Sequence, residues 1–369
     1  MTSQMLKCDV AVVGGGLAGL TAASLLSETG RDVLLLEASS QVGGRVKSVY
    51  RDDDYVADLG PTWIWPVYQP TVARWVEQLG VKLFPQYEEG NAVLDFEPGV
   101  LPSHQFLPGQ HGMARIDGGP QSLVDALAST LSNSQIITGA KVADIDETNH
   151  GFLLRSTNCN DLQVTANKAI FAAPLRLIAE TVEWNSLLSD DLLELMANAP
   201  TWMATQAKVS VVYQRAFWRD AGLSGRVASR VGPMFEVHDH CGADGQPAAL
   251  FGFVGWSPKQ RKSADLGSAI VDQLVRCFGE EAREFEQLVI QDWASEPHIC
   301  SKRDYITEPQ HPAQLPQQIR SGMCEGRIFF AAAETATQSP GLIDGAFEAG
   351  ERVARQVAGQ SYPEGITGD

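Results

Sequence analysis

The chain opens on short apolar runs punctuated by glycine. Cys8 to Val13 (CDVAVV) is β-branched and almost unbroken by polar residues, the pattern of a strand covered on both faces. Leu17 to Thr29 follows with small residues (Ala18, Gly19, Ala22, Ala23) that permit close packing; Gly30 marks the stop of this helix. Asp32 to Leu36 (DVLLL) reads as a second buried strand. Strand, helix and strand within about 30 residues predict a right-handed βαβ unit with parallel strands. Helices are further expected at Gln69 to Leu79, stopped by Gly80, and at Pro120 to Leu131, on the spacing of Leu123, Ala126, Leu127 and Leu131. Residues 87–118 are rich in Gly, Pro and His and read as loops and short strands. Strands are expected through 135–176 and again through 202–256, around a polar, turn-rich stretch at 238–247. Ser268 to Phe278 and Ala282 to Gln287 read as helix, Arg327 to Ala332 as a last buried strand and Gly345 to Val357 as a last helix.

Composition narrows the function classes. The 369 residues carry 28 Lys and Arg against 45 Asp and Glu, a formal charge of −17. Such a chain repels phosphate backbones and anionic lipid, so neither nucleic acid nor a membrane is an expected partner. Six cysteines (Cys8, Cys159, Cys241, Cys277, Cys300, Cys324) are scattered without a Cys-x-x-Cys pair, which fits a reducing, cytoplasmic setting. Val10 to Leu26 is uncharged and follows Lys7, but Asp9 stands at its edge and its glycines serve another purpose, so no signal peptide is expected. Nothing approaches the roughly 20 apolar residues of a membrane span. His238-Asp239-His240-Cys241 has ligand-type residues but lies in the expected polar turn without a second group at ligand spacing, so no metal is expected.

Gly14-Gly15-Gly16-Leu17-Ala18-Gly19 is a G-x-G-x-x-G between strand and helix. Gly14 suits the tight turn, Gly16 lets a pyrophosphate approach, and Gly19 lets helix and strand touch. The free amides at the start of the helix, through Leu17 and Ala18, face an anion. Glu37, 23 residues after Gly14 and followed by Ala38, ends the second strand where a carboxylate can accept ribose hydroxyls. A dinucleotide site follows. Gly43-Gly44-Arg45 comes six residues later, where glycines bring the backbone close again and Arg45 can fork onto a phosphate.

The run Ser40-Gln-Val-Gly-Gly-Arg45, with Asp58-Leu59-Gly60-Pro61-Thr62-Trp63, resembles the flavin-containing amine oxidase family. So does the end of the chain, where Arg327 to Thr337 (RIFFAAAETAT) and Gly341 to Glu351 (GLIDGAFEAGE) are much like the last part of monoamine oxidases. The resemblance implies an α/β fold: a Rossmann-type FAD-binding domain of the glutathione-reductase kind, with a smaller mixed-sheet substrate domain inserted. The first would take residues 1–65, 115–200 and 322–369, the second 66–114 and 201–321. FAD, held non-covalently, would contact Gly14, Gly16, Leu17, Ala18, Gly19, Glu37, Ala38, Gly44, Arg45, Gly60, Pro61, Thr62, Val142, Trp293, Glu334, Leu342, Ile343 and Ala346. Independently of the resemblance, the small residues Gly345, Ala346, Ala349 and Gly350 let the last helix lie close to a ligand, with its positive end toward it.

Lys208 stands ten residues before Trp218, the spacing seen in monoamine and L-amino-acid oxidases, where a strand lysine holds a water at flavin N5. The alternation of Val209, Val211 and Tyr213 leaves open which face Lys208 uses. Phe253 and Trp293 match family positions that wall the flavin cavity, and Trp63 is a further candidate for the substrate cavity. The family's caging aromatic pair falls here at Arg303 and Leu342, and Trp65 or Trp256 could supply another wall. The flavin-bonded cysteine position falls at Lys302, two residues past Cys300, hence the non-covalent cofactor. Only about fifty residues separate Trp65 from Gly118, where relatives carry a helical segment over the substrate, so a short, lidless variant is expected. The implied reaction is oxidation of a C–N bond of a small amine or amino acid by hydride transfer to flavin N5, with O2 reoxidation giving H2O2. Arg303 is the candidate carboxylate binder. A desaturase or porphyrinogen-oxidase-like C–C oxidoreductase, a NAD-dependent dehydrogenase and a non-catalytic flavin-bearing partner subunit are the alternatives. Oligomeric state is not legible.

Overall fold

The computed structural model describes residues 4–52, 54–132, 135–157 and 161–359. Cys159 lies outside them. The first strand (Met5–Val13) runs parallel to Val33–Leu36 on one side and to Gln163–Phe171 on the other. From Val10 onward its side chains alternate between two cores. Val10 and Val12 pack with helices Leu17–Glu28, Gln121–Ser129 and Ile343–Val357, while Cys8, Ala11 and Val13 pack with Leu175, Ile178 and Met196 on the opposite side. A strand flanked by two cores needs apolar residues at every position, which is why CDVAVV reads as a continuous run.

Gln163–Phe171 is shared along one edge. Its first half pairs antiparallel with Gly151–Ser156, and its second half pairs parallel with Ile328–Phe330, register Ala169 to Ile328 and Phe171 to Phe330. The late strand thus enters the same sheet as the first one, and the long helix Ile343–Val357 then packs against Leu17–Glu28. The contact needs small residues: a Cβ on Gly350 would lie 2.6 Å from the Ala18 carbonyl oxygen.

A second seven-stranded sheet runs in the order 285–292, 207–213, 248–254, 234–239, 223–229, 91–95, 103–105. One face packs on helix Leu266–Phe278 through Ile270, Leu274 and Cys277. A small third sheet joins Trp63–Ile64, Leu83–Pro85 and Ala114–Ile116.

Two expectations are corrected. Ala282 to Gln287 is not helical: a single 3-10 turn at Glu280–Arg283 leads into the edge strand Phe285–Asp292. Ala282 and Phe285 stand three apart, which mimics a helical period, but the apolar run Leu288 to Ile290 follows and pairing with Ala207–Tyr213 decides for a strand. The polar stretch at 238–247 is also not all turn. His238 and Asp239 finish the strand Met234–Asp239, and both are buried with His240 and Cys241. Each has a partner: Glu236 for His238, Arg219 and the Trp218 indole for Asp239, the Asp58 amide for His240, and the Asp239 carboxylate for Cys241. Among the described residues no group of three or more His, Cys, Asp or Glu is arranged to hold a metal. No described helix is long and apolar enough to cross a membrane.

Candidate functional site

A cavity of about 590 Å3 runs between the two large sheets, from the first βαβ unit to the face of the second. At one end lies the glycine turn. Gly14 has φ +108°, a conformation open to glycine, and a Cβ on Gly19 would lie 2.0 Å from the Gly14 carbonyl oxygen. Gly19 therefore does not line the cavity; it lets the helix start close to the strand end. Gly16 differs: the nearest atom to a Cβ there is the Gly44 Cα at 3.9 Å, so the side-chain direction is open. Glu37, 7% exposed, is aimed by two backbone donors, Gly15 N at 2.6 Å and Ser39 N at 2.7 Å. Each carboxylate oxygen keeps acceptor capacity for another donor. Ala38, Gly44 and Val142 complete this end.

Arg45 does something other than fork onto a phosphate. Its guanidinium grips Glu334 with both nitrogens, at 2.6 and 3.0 Å, and donates to the Trp202 carbonyl at 3.1 Å. Glu334 in turn accepts from Trp202 N at 3.0 Å. Glu334 is 2% exposed and stands behind the cavity wall, not on it. The pair fastens the first glycine-rich region, the last strand's loop and residues 200–206 into one corner. Glu334→Gln should therefore destabilise the fold by about 2 kcal/mol, because it removes the charge-assisted bonds from buried Glu334 to the partly exposed Arg45; urea unfolding measures this, and a change under about 0.5 kcal/mol would contradict the clamp.

The last helix, Ile343–Val357, begins at the cavity, with Leu342, Ile343 and Ala346 on its wall. Asp344, in its first turn, accepts from Val72 N at 2.9 Å and ties in helix Pro70–Gln78. Glu348, one turn on, takes the amides of Thr337 and Gln338 at 2.7 and 2.9 Å, which fixes the preceding loop.

At the other end Lys208 reaches in from strand Ala207–Tyr213. Ala207, Val209, Val211 and Tyr213 pack into the core under helix Leu266–Phe278; Lys208, Ser210 and Val212 face the opposite way. That face lies over residues 58–62. Ser210 donates to the Asp58 carbonyl at 2.9 Å, and the Lys208 ammonium donates to the Gly60 carbonyl at 2.8 Å and to the Thr62 hydroxyl. It also sits 4.1 Å from the Phe251 ring centroid. Only 2% exposed, Lys208 has its pKa lowered to about 7 by burial and the Arg115 charge, against the pull of Asp58.

Four of the chain's eight tryptophans (Trp63, Trp65, Trp202, Trp293) line the cavity, joined by Phe253. Trp63 meets Trp65 edge-on at 6.3 Å and Phe251 at 5.1 Å, and its indole N–H is held by Gln86 at 2.8 Å. Trp293 donates to the Leu59 carbonyl at 3.1 Å. Met203, Gln206, Glu296, His298 and Ile299 also reach the wall; none carries a motif that would have singled it out in the sequence. Trp256 is not on the wall. Arg303 is displaced altogether. It lies on the short helix Lys302–Ile306, where it bonds the Asn198 side chain and faces Glu194 at 3.6 Å. Its neighbour Asp304 explains this: it accepts from the hydroxyl of the cap residue Ser301 and pairs with buried Arg176 at 2.6 Å, so the helix is pinned with Arg303 turned away. Cys300 likewise points off the cavity, bonded to the Ser301 carbonyl, its thiol pushed up to about 11 by burial and the nearby carboxylates.

The donor set fits FAD. Open glycines stand opposite one another, an oriented carboxylate waits at the nucleotide end, two helix starts open onto the space, and a buried cation with aromatic walls closes the far end.

Comparison with known proteins agrees. The family model described as flavin containing amine oxidoreductase matches residues 17–104 and 99–358. The probable flavin-containing monoamine oxidase A of Dictyostelium discoideum is 24% identical over 458 positions, covering 95% of this chain and 97% of that protein. At least 89 of those positions (458 less 369) face gaps in this chain. Flavin-containing amine oxidase B of Sus scrofa is 24% identical, covering 95% of this chain and 86% of that protein. Among solved structures, putrescine oxidase bound to putrescine aligns with a TM-score of 0.78 and 19% identity, covering 96% of this chain and 100% of that one. Cyclohexylamine oxidase from Brevibacterium oxydans IH-35A gives 0.77 and 17%, covering 95% and 99%.

Proposed function

The chain belongs to the family of flavin-containing amine oxidoreductases and is an FAD-dependent oxidoreductase; from that premise we propose that it oxidises a small amine that bears no α-carboxylate, with O2 as the final acceptor. When bound, FAD supplies the two-electron acceptor for opening a C–N bond. The balanced reaction is RCH2NH2 + O2 + H2O → RCHO + NH3 + H2O2. The chain's own residues position and shield. The described residues of 1–65, 115–200 and 322–369 hold the cofactor without a covalent bond, and 66–114 with 201–321 build the substrate face together with Trp63 and Trp65. Trp63, Trp65 and Phe253 offer the amine an apolar, electron-rich wall and exclude water. Lys208, anchored on Gly60 and Thr62, holds a proton donor beside the place where charge forms as oxygen is reduced.

One observation carries the reading: a buried lysine with its pKa near neutrality projects into a tryptophan-walled cavity at its junction with the cofactor-binding sheet. The preference against amino acids has its own support. Among the wall's lysines and arginines, Arg45 is spent on Glu334, Lys47 shares Gln291 and Glu296 at 2.6 and 3.7 Å, and Lys208 donates to Gly60 and Thr62. Lys141 stands beside Val142, at the Glu37 end. Three of the four are thus engaged and the fourth, Lys141, lies away from the tryptophan walls, which leaves a substrate carboxylate without a cation there.

Anaerobic mixing of the FAD-loaded protein with a panel of alkyl and aryl amines, diamines and L-amino acids tests both statements. Visible flavin absorbance should fall with at least one amine and with none of the amino acids. No fall with any amine would defeat the reading, and a fall with amino acids alone would defeat the preference.

A further inference from the structure

A second cavity, of about 470 Å3, opens to solvent beside the first. It is lined by Trp65, Tyr68, Gln69, Gln110, His111 and Ser339, and two of these, Trp65 and Gln69, also line the main cavity. Tyr68 stands exposed on the outer rim, whereas Gln69 is 7% exposed. From Trp65 the rings lead inward: it meets Trp63 at 6.3 Å, and Trp63 lies 6.4 Å from Phe253. The two spaces thus meet at one threshold, built from Trp65 and Gln69.

Both sides of the outer space are fastened. On one side the Trp65 carbonyl accepts from the amides of Tyr68 and Gln69 at 2.9 and 2.8 Å, which closes the turn 65–69. Helix Pro70–Gln78 starts at once and is held on the last helix, by the Val72 amide on Asp344 and the Trp75 indole on Glu351. On the other side the Glu88 carboxylate accepts from the Gln110 amide at 3.0 Å, and Arg226 donates to the Pro108 carbonyl at 3.2 Å.

Gln69 occupies the cap position of that helix, yet its side chain does not cap it. It turns back instead, and its Oε1 accepts from the Trp65 amide at 2.8 Å. A backbone N–H only donates, so this bond decides which end of the side-chain amide is oxygen. The NH2 group that remains has no hydrogen-bond partner among the described residues, and what surface Gln69 retains is cavity wall. A fixed donor in a water-poor passage favours an acceptor and opposes a cation. None of the six residues lining the outer space is a carboxylate, so no anion there pairs with a second ammonium.

Resting on the reading of the main cavity as an amine site, we propose that the outer cavity is a tail subsite. The substrate it fits is an elongated amine whose uncharged tail carries an oxygen acceptor, and Gln69 donates to that oxygen. The amine end lies among Trp63, Trp65 and Phe253, the acceptor stops at the threshold, and the rest of the tail lies outward, toward Tyr68 and Gln110.

The test uses ligands that cannot be turned over: amines with two methyl groups on the carbon beside nitrogen have no hydrogen there to lose. Three such amines of matched length, with an alkyl tail, an acetamido tail or a second ammonium, are titrated calorimetrically into the FAD-loaded protein over a series of chain lengths. At the best length wild type should bind the acetamido amine about fivefold or more tighter than the alkyl one, the worth of one neutral hydrogen bond, and the diamine no better than the alkyl one. Gln69→Leu keeps the bulk and should lose the preference. Gln69→Glu keeps an acceptor for the Trp65 amide and should reverse the order, with the diamine bound more tightly than the acetamido amine. A merely structural role for Gln69 would change all three affinities alike. Equal binding of alkyl and acetamido tails by wild type at every length, a preference that survives Gln69→Leu, or no binding by any of the three would overturn the proposal. If Gln69→Leu fails to fold, the reversal in Gln69→Glu decides. Failure of the amine-oxidation reading would look different: the tail preference would be present in calorimetry, while counterparts bearing hydrogen on that carbon would bring no fall in flavin absorbance.

Discussion

Lys208→Met slows the O2-dependent return of flavin absorbance by about 10²-fold or more, while anaerobic bleaching by the best amine stays within a few-fold of wild type. The expectation follows from one hydrogen-bonding cation lost at a water-poor site, where a single preorganised donor is worth about 10² to 10³ in rate. Methionine retains the length and apolar stem, so packing on Phe251 survives and the two half-reactions can be compared. Stopped-flow measurement of each half-reaction checks it; equal loss in both would remove Lys208 from the oxygen step. The same variant has a signature without cofactor. The folded lysine titrates near 7 and the unfolded one at its ordinary 10.5. Between those values the unfolded chain binds a proton that the folded chain does not, so stability rises with pH through that window and is lower below it. Lys208→Met should flatten the rise, and an unchanged slope would mean that the side chain is not the titrating group.

Gly16→Val weakens FAD binding by more than about 100-fold and leaves the apoprotein's unfolding midpoint almost unmoved. Gly16 has ordinary extended backbone at the helix start, φ −74° and ψ 176°, which valine adopts freely. Its Cβ would meet only the Gly44 Cα, at 3.9 Å, so the cost falls on whatever occupies the open space between the two glycines. Gly19→Val is the contrast, since its Cβ collides with the Gly14 carbonyl at 2.0 Å and loses the fold itself. Flavin titration followed by fluorescence, with thermal unfolding of the apoprotein, separates the two. Unaltered FAD affinity in Gly16→Val would mean that the diphosphate does not pass between Gly16 and Gly44.

The nucleotide end was readable because its chemistry is backbone chemistry. Gly14, Gly16, Gly19 and Glu37 owe their roles to turn, clearance and strand end, and these follow from order along the chain. The other end depends on register across sheets. All seven residues of Ala207–Tyr213 are buried, so no polar alternation marks the face that Lys208 takes; the pairing of Ser210 and Lys208 with residues 58–62 decides it. Arg303 failed for the same reason, because its direction is set by the Asp304–Arg176 pair formed with a helix far away in sequence. Arg45 and Glu334 were each recognised, and what neither segment could reveal alone is that they bind one another.

The split edge of strand Gln163–Phe171 bears on how the protein is made. Half of that edge is filled by a hairpin that has already left the ribosome, whereas the other half waits for Ile328–Phe330, emerging some 160 residues later. Throughout that interval a nascent chain displays unpaired amides beside an incomplete nucleotide cradle, the kind of exposed rim that invites misassembly or chaperone attention. The cradle for the prosthetic group is therefore complete only once Ile328–Phe330 and the helix Ile343–Val357 have been made and have docked on the first unit.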